Sequence, residues 1–290
     1  QSISYSDGFG KWLCTQAQAD KNLIGITPAM TTGSGMSEFA DKFKDRFFDV
    51  GIAEQNALVF ASGLAAGGMH PVVSIYSTFL QRAYDGLIHD MAIQNLPIVV
   101  CIVGPDGPTH QGIFDIAFTR CIPNLIIMTP SDLKEQYLML NTAYKSNKPA
   151  LVRYERGCDD TDISALTLEN TIEIGKAKVL NEGRDIAILA FGSITKKLMP
   201  TCVKQHVTLV DMRFVKPLDR ELIEKVSKTH KVLITVEEGV IEGGIGQEVC
   251  LEAIAHNQSL KTKCLGIKDQ FIMEGTREQL LQEQGIDVES

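Results

Sequence analysis

Two doubly wound α/β domains in tandem, the second smaller than the first, are what this sequence predicts. Between residues 23 and 156, short apolar runs alternate with amphipathic helical stretches, the order of parallel strands joined by crossover helices. Those runs are continuously apolar rather than alternating, as in strands covered on both faces. Residues 158–175 then carry turn residues and acids with little apolar pattern, after which the alternation resumes. The expected division is therefore a first domain at 1–157, a linker at 158–175 and a second domain at 176–290.

Taken in order, the first strand is expected at 23–26 (Leu-Ile-Gly-Ile) and the next at 46–50 (Arg-Phe-Phe-Asp-Val). The latter enters Gly51-Ile52-Ala53-Glu54-Gln55-Asn56 and a small-residue helix at 57–68. Further strands are expected at 71–76, 97–101, 124–128 and 150–153, with helices at 78–94, 113–122 and 131–146, the last opened by Ser131-Asp132 as a cap. In the second domain, strands are expected at 185–190, 207–211 and 232–236 and helices at 219–230 and 246–257. No internal repeat or low-complexity tract is present.

Composition narrows the function. The 290 residues are 44% hydrophobic and 22% charged, the profile of a well-cored protein. A formal net charge of −8 with scattered Lys and Arg argues against nucleic acid and anionic membrane as partners, since either needs a clustered basic face. Small-molecule chemistry is the expectation. The seven cysteines are widely spaced with no C-x-x-C pair, so neither a zinc site nor a disulfide framework is expected, and reduced core thiols in the cytoplasm are. No apolar run approaches the roughly 18 residues of a membrane span. The opening Gln1-Ser2-Ile3-Ser4-Tyr5 has neither a signal pattern nor an initiator Met, and the chain is expected to begin partway through a longer protein.

Four segments carry candidate chemistry. Glu54 places one carboxylate at a strand-to-helix junction, where the plainer alternative is a side chain complementing the helix dipole. In Tyr76-Ser77-Thr78-Phe79-Leu80-Gln81-Arg82 a strand ends in a polar turn, where ligands of open α/β sheets gather. Phe79 is suited to stacking on a flat heterocycle and Arg82 to binding a cofactor edge or an anion; packing with a snorkelling arginine is the alternative. The loop Gly104-Pro105-Asp106-Gly107-Pro108-Thr109-His110-Gln111-Gly112 offers His110 as a proton shuttle with Asp106 to orient it or contact a hydroxyl; the alternative is a solvated loop histidine. Arg156, in Tyr154-Glu155-Arg156-Gly157, is placed to clamp a phosphate or to form a surface salt bridge.

Together these segments resemble the transketolase-like thiamine diphosphate enzymes over nearly the whole chain. The resemblance is carried by I-T-P-A-M at 26–30, G-S-G-M at 33–36, R-F-F-D-V-G-I-A-E-Q at 46–55, I-Y-S-T-F-L-Q-R-A-Y-D at 75–85, D-G-P-T-H-Q-G at 106–112, M-T-P-S-D at 128–132 and V-D-M-R-F-V-K-P-L-D at 210–219. It implies a parallel-sheet pyrimidine-binding domain followed by a transketolase C-terminal-type domain. It also implies that Glu54 hydrogen-bonds the N1′ nitrogen of the cofactor's aminopyrimidine, that Phe79 packs on that ring, and that Tyr76 and Arg82 line the cofactor and substrate pocket. Asp106 and His110 would lie beside the acceptor sugar phosphate and Arg156 on its phosphate, with Glu54 and His110 the catalytic pair. The implied activity is a transferase reaction feeding isoprenoid, thiamine and pyridoxal synthesis, in which pyruvate condenses with glyceraldehyde 3-phosphate and CO2 is lost, in a homodimer.

Departures from the family pattern are equally legible. Asn56 stands where the pyruvate-using branch has histidine. Ile102-Val103 passes directly to Gly104 without the usual Asp-Arg-Ala-Gly stretch. The G-D-G motif that holds the cofactor's metal is absent, so no metal site is expected in this chain, and Mg2+ is expected on an N-terminal domain supplied in cis or in trans. Two other readings remain: the C-terminal subunit of a split transketolase, and a non-catalytic interaction module of the same fold.

Overall fold

The structure is a computed structural model that describes residues 2–104, 111–273 and 277–286. In chain order the first half contains β1 (Ile3–Ser4), α1 (Tyr5–Ala19), β2 (Leu23–Thr27), α2 (Ser37–Lys42), β3 (Phe47–Asp49), α3 (Glu54–Ala66), β4 (His70–Tyr76), α4 (Ser77–Leu80), α5 (Tyr84–Gly86), β5 (Val99–Val103), α6 (Asp115–Thr119), β6 (Ile126–Met128), α7 (Leu133–Ser146), β7 (Ala150–Tyr154) and β8 (Cys158–Asp159). The second contains β9 (Lys178–Asn181), β10 (Ile186–Ala190), α8 (Ile194–Gln205), β11 (Thr208–Asp211), β12 (Phe214–Lys216), α9 (Arg220–Thr229), β13 (Val232–Val240), α10 (Ile245–His256), β14 (Lys261–Ile267) and α11 (Arg277–Glu283).

The protein is α/β, with two large sheets that are parallel except at their antiparallel edges and a small antiparallel pair of β1 and β8. A seven-stranded sheet runs β12-β6-β7-β5-β4-β2-β3 and a five-stranded sheet β14-β13-β10-β11-β9. Residues of β2, β5, β6 and β7 are buried throughout, which is why these strands read as unbroken apolar runs rather than alternating ones. Helices α1 and α7 cover one face, joined where Trp12 Nε1 donates to Asn141 Oδ1 at 2.8 Å. Helix α7 is capped by Asp132, whose side chain accepts from Glu135 N at 2.7 Å, within the Ser131-Asp132 pair expected to open it.

Two features depart from sequence expectation. The stretch expected as one helix at 78–94 is α4, a 3-10 turn Gln81–Ala83, α5 and a π-helical turn Leu87–Ala92. Ala83 leaves helical angles at φ −106°, ψ 12°; the change of pitch turns Arg82 toward α3 while Tyr84 Oη donates to Phe118 O at 2.6 Å. Strand β12, from the second half, pairs antiparallel with β6 and extends the first sheet. Around it Ser131 Oγ donates to Asp211 Oδ2 at 2.6 Å and Arg213 Nη2 to Glu135 Oε1 at 2.8 Å. Burial, with the Glu135 carboxyl nearby, pushes Asp211 up to about 7. Residues 160–177, between β8 and β9, pack against the first half. Asn141 Nδ2 donates to Thr167 O and Asn170 O at 2.9 and 2.7 Å, and Ile163, Leu166, Leu168 and Ile172 pack on the core beneath. Among the described residues, no helix is long and apolar enough to cross a membrane.

Candidate functional site

The site forms along the carboxyl ends of β4, β5 and β7, where Tyr76, Val103 and Tyr154 stand level in register. This is the edge at which open parallel sheets hold ligands. Glu54 reaches it from the side. After β3, Gly51 takes φ +73°, a left-handed turn that glycine adopts without strain, and Ala53 N donates to Gly51 O at 2.8 Å. The junction is pinned by Asp49, which accepts from Gly51 N and Ala29 N at 2.9 Å each and from Thr31 Oγ1 at 3.0 Å. Partial burial opposes ionisation of Asp49, but these three donors hold its carboxyl below the ordinary value. Helix α3 then begins at Glu54, which is only 4% exposed.

Four of the sequence-expected residues come together here. Arg82 Nη1 donates to Glu54 Oε1 at 2.9 Å, and the Arg82 guanidinium lies 5.6 Å from the centroid of the Phe79 ring. Phe79 stacks on Tyr76 at 6.0 Å between centroids and 16° between planes. Tyr76 is buried and Phe79 half-buried. Gly33 makes room for the tyrosine: a Cβ there would stand 2.6 Å from Tyr76 Oη. Among the described residues Glu54 Oε2 receives no hydrogen bond, so one carboxylate oxygen of a buried side chain is left to meet a ligand beside a stacked aromatic pair.

Arg156 is exposed, two residues beyond β7 at the same edge. Asp106 and His110 lie outside the described residues. Among the described residues no group of three or more His, Cys, Asp or Glu side chains is arranged to hold a metal ion.

Sequence reasoning missed the charged layer beneath this edge. Arg153, on β7, is buried; its Nε donates to Asp115 Oδ2 at 3.0 Å and its Nη2 to Gly112 O and Glu238 O at 2.8 and 2.9 Å. A lone arginine inside the run Ala150-Leu151-Val152-Arg153-Tyr154 was the available signal, since a buried charge requires a partner. Its partners lie on other elements: the Asp115 carboxylate on α6, 38 residues earlier, and the Glu238 carbonyl on β13, 85 residues further along the chain. Two cavities adjoin the layer: one of about 290 Å³ lined by Gln81, Tyr84, Phe114 and Phe118, and one of about 500 Å³ that shares Phe114 and Phe118 and reaches Val240 and Phe271.

Comparison with known proteins fits this arrangement. The family described as "Transketolase, pyrimidine binding domain" matches residues 1–158, and "Transketolase, C-terminal domain" matches residues 175–290. The chain belongs to the transketolase family. Its curated relatives include the 1-deoxy-D-xylulose-5-phosphate synthases of Mannheimia succiniciproducens and Pasteurella multocida, each 51% identical over 98% of this chain. That of Pseudoalteromonas atlantica is 49% identical over the same share. The chain spans only 46–47% of the length of these relatives. Among solved structures, a transketolase family member titled "Split gene transketolase, inactive beta4 tetramer" superposes with a TM-score of 0.88 at 27% identity, covering 99% of this chain and 95% of its own.

Proposed function

We propose that this chain supplies the pyrimidine-binding half of a thiamine diphosphate site that condenses pyruvate with glyceraldehyde 3-phosphate to 1-deoxy-D-xylulose 5-phosphate and CO2. The observation that carries the reading is Glu54: buried, opening α3, with Oε1 taken by Arg82 and Oε2 left open beside Phe79 and Tyr76. This donor set fits the cofactor, whose flat aminopyrimidine offers a ring nitrogen to a carboxyl and a face to an aromatic side chain. Thiamine diphosphate, when bound, supplies the electron sink for decarboxylating a 2-keto acid.

The chain's own residues do the rest. Glu54 shares a proton at Oε2 with the pyrimidine N1′ nitrogen, and Arg82 keeps the carboxyl oriented by occupying Oε1. Phe79 and Tyr76 exclude water from that carboxyl and hold the ring against it. At the acceptor end, Arg156 binds the phosphate of glyceraldehyde 3-phosphate, Asp106 contacts its hydroxyl, and His110 donates a proton to its carbonyl oxygen. Mg2+ belongs to the other half of the site, carried in cis or in trans, and the assembly is a cytoplasmic homodimer. The names of the 49–51% identical relatives support this choice of substrates.

A second reading has one observation in its favour. The split-gene neighbour has a chain of matching extent, as expected if this polypeptide were the C-terminal subunit of a two-chain transketolase. A substrate comparison separates the two: the first reading expects turnover of pyruvate with glyceraldehyde 3-phosphate, with CO2 released. Turnover of xylulose 5-phosphate with ribose 5-phosphate, and no CO2 from pyruvate, would overturn it.

A further inference from the structure

Gln111 follows His110 in sequence, and every residue from Gln111 to Phe114 is gripped by an element from elsewhere in the chain. The side chain of Gln111 is buried and pairs in both directions with the backbone of one residue: Nε2 donates to Ile272 O at 2.7 Å and Ile272 N donates to Oε1 at 3.2 Å. Gly112 O accepts from Arg153 Nη2, and Ile113 O accepts from Val240 N at 3.0 Å. Ile113 itself is buried in the second half's core together with Leu281 and Ile286 of the C-terminal segment. Phe114 meets Phe271 edge to face, 6.3 Å between centroids.

The segment that holds Gln111 is anchored in turn. Arg277 Nε donates to Glu238 Oε1 at 2.7 Å, and its Nη2 donates to Ser193 Oγ at 3.0 Å and stands 2.6 Å from Glu155 Oε2. Glu155 follows β7 of the first sheet and Glu238 lies on β13 of the second, so one guanidinium ties both sheets to the C-terminal segment. Both carboxylates are largely buried, with side chains 12% and 10% exposed, so removing the arginine takes from both the cation they share. At the far end, Lys268 N donates to Gln284 Oε1 at 3.1 Å, closing the segment on itself.

We propose that Gln270 to Met273, locked by Arg277, form a strap that positions Gln111 and thereby the chain leaving the acceptor-binding residues, making Gln111 and Arg277 positioning residues for the acceptor. The proposal rests on the functional reading above for the identity of that acceptor. The strap touches Gln111, next in sequence to His110, whereas Glu54, Tyr76, Phe79 and Arg82 stand on α3, β4 and the turn after it. It therefore governs acceptor use and leaves cofactor binding alone.

The test uses the complete enzyme with Gln111→Ala, Arg277→Ala and the charge-keeping Arg277→Lys. Three quantities are read: hydrogen exchange of the amides at 111–114, the dissociation constant for thiamine diphosphate, and KM and kcat for glyceraldehyde 3-phosphate. The strap predicts faster exchange at 112–114, about a tenfold rise in acceptor KM from loosened positioning, cofactor affinity within about twofold, and partial recovery in Arg277→Lys. Unchanged exchange at 111–114 in Arg277→Ala overturns it, as does cofactor affinity falling in step with acceptor KM. A wild-type enzyme that fails to turn over these substrates defeats the functional reading instead, and the exchange data still decide the strap.

Discussion

Arg82 shows how one side chain divides between stability and chemistry. Its partner Glu54 is buried, but the arginine side chain is 59% exposed, so solvent screens the pair and its loss costs about 1 kcal/mol or less. Arg82→Ala should therefore shift the melting temperature by only a few degrees while lowering kcat by about tenfold or more, because Glu54 is no longer held with one oxygen occupied. Steady-state kinetics beside a thermal melt separate the two effects; equal loss in both would make the arginine merely structural. The apolar pattern set the strand ends and helix start that carry Glu54, Tyr76, Phe79 and Arg82, but their grouping in one pocket was legible only through the family resemblance. Arg153 was not, because its partners Asp115 and Glu238 lie on other elements and only the folded chain brings them within reach.

At the scale of elements, the segment 160–177 is secured to α7 by Asn141, Thr142 and Lys145, and Asn141 makes the most hydrogen bonds of the three. Asn141 accepts from Trp12 Nε1 and donates to the carbonyls of Thr167 and Asn170. Asn141→Ala would leave a buried indole donor and two carbonyls unsatisfied, at a cost of about 2–4 kcal/mol, measurable by chemical denaturation. We propose that the two domains join within 158–175, and the same variant should open that stretch to protease while the parent resists cleavage there. Equal resistance in both would contradict the role given to Asn141. Strands of the parallel core were readable because burial on both faces leaves an uninterrupted apolar run. The break at Ala83 was not, since a pattern with a period of 3.6 continues across a local change of pitch. Nor was the placement of β12, because its apolar residues suit either sheet and only the pairing with β6 decides between them.

Across the whole molecule, the two halves meet through buried carboxyls, and this gives stability a direction with pH. Burial pushes both Asp211 and Glu237 up to about 7. The folded protein thus keeps protons that the unfolded chain releases near pH 4, so between about pH 4 and about pH 7 raising the pH removes stability. The melting temperature should fall between about pH 5 and about pH 7.5, and Asp211→Asn should flatten that decline; an identical slope in the variant would contradict the assignment. Asp211 accepts from Ser131 Oγ of the first half, whereas Glu237 accepts from Ile245 N and Gly246 N at the start of α10. The central claim is that Glu54 activates the cofactor, and it is tested most directly by CO2 release from pyruvate with glyceraldehyde 3-phosphate, thiamine diphosphate and Mg2+, comparing the complete enzyme with its Glu54→Gln variant. The account predicts an unchanged melting temperature and a rate reduced by more than the roughly 10²- to 10⁴-fold of a single acid-base group; a variant that keeps most of the parent's rate would contradict it.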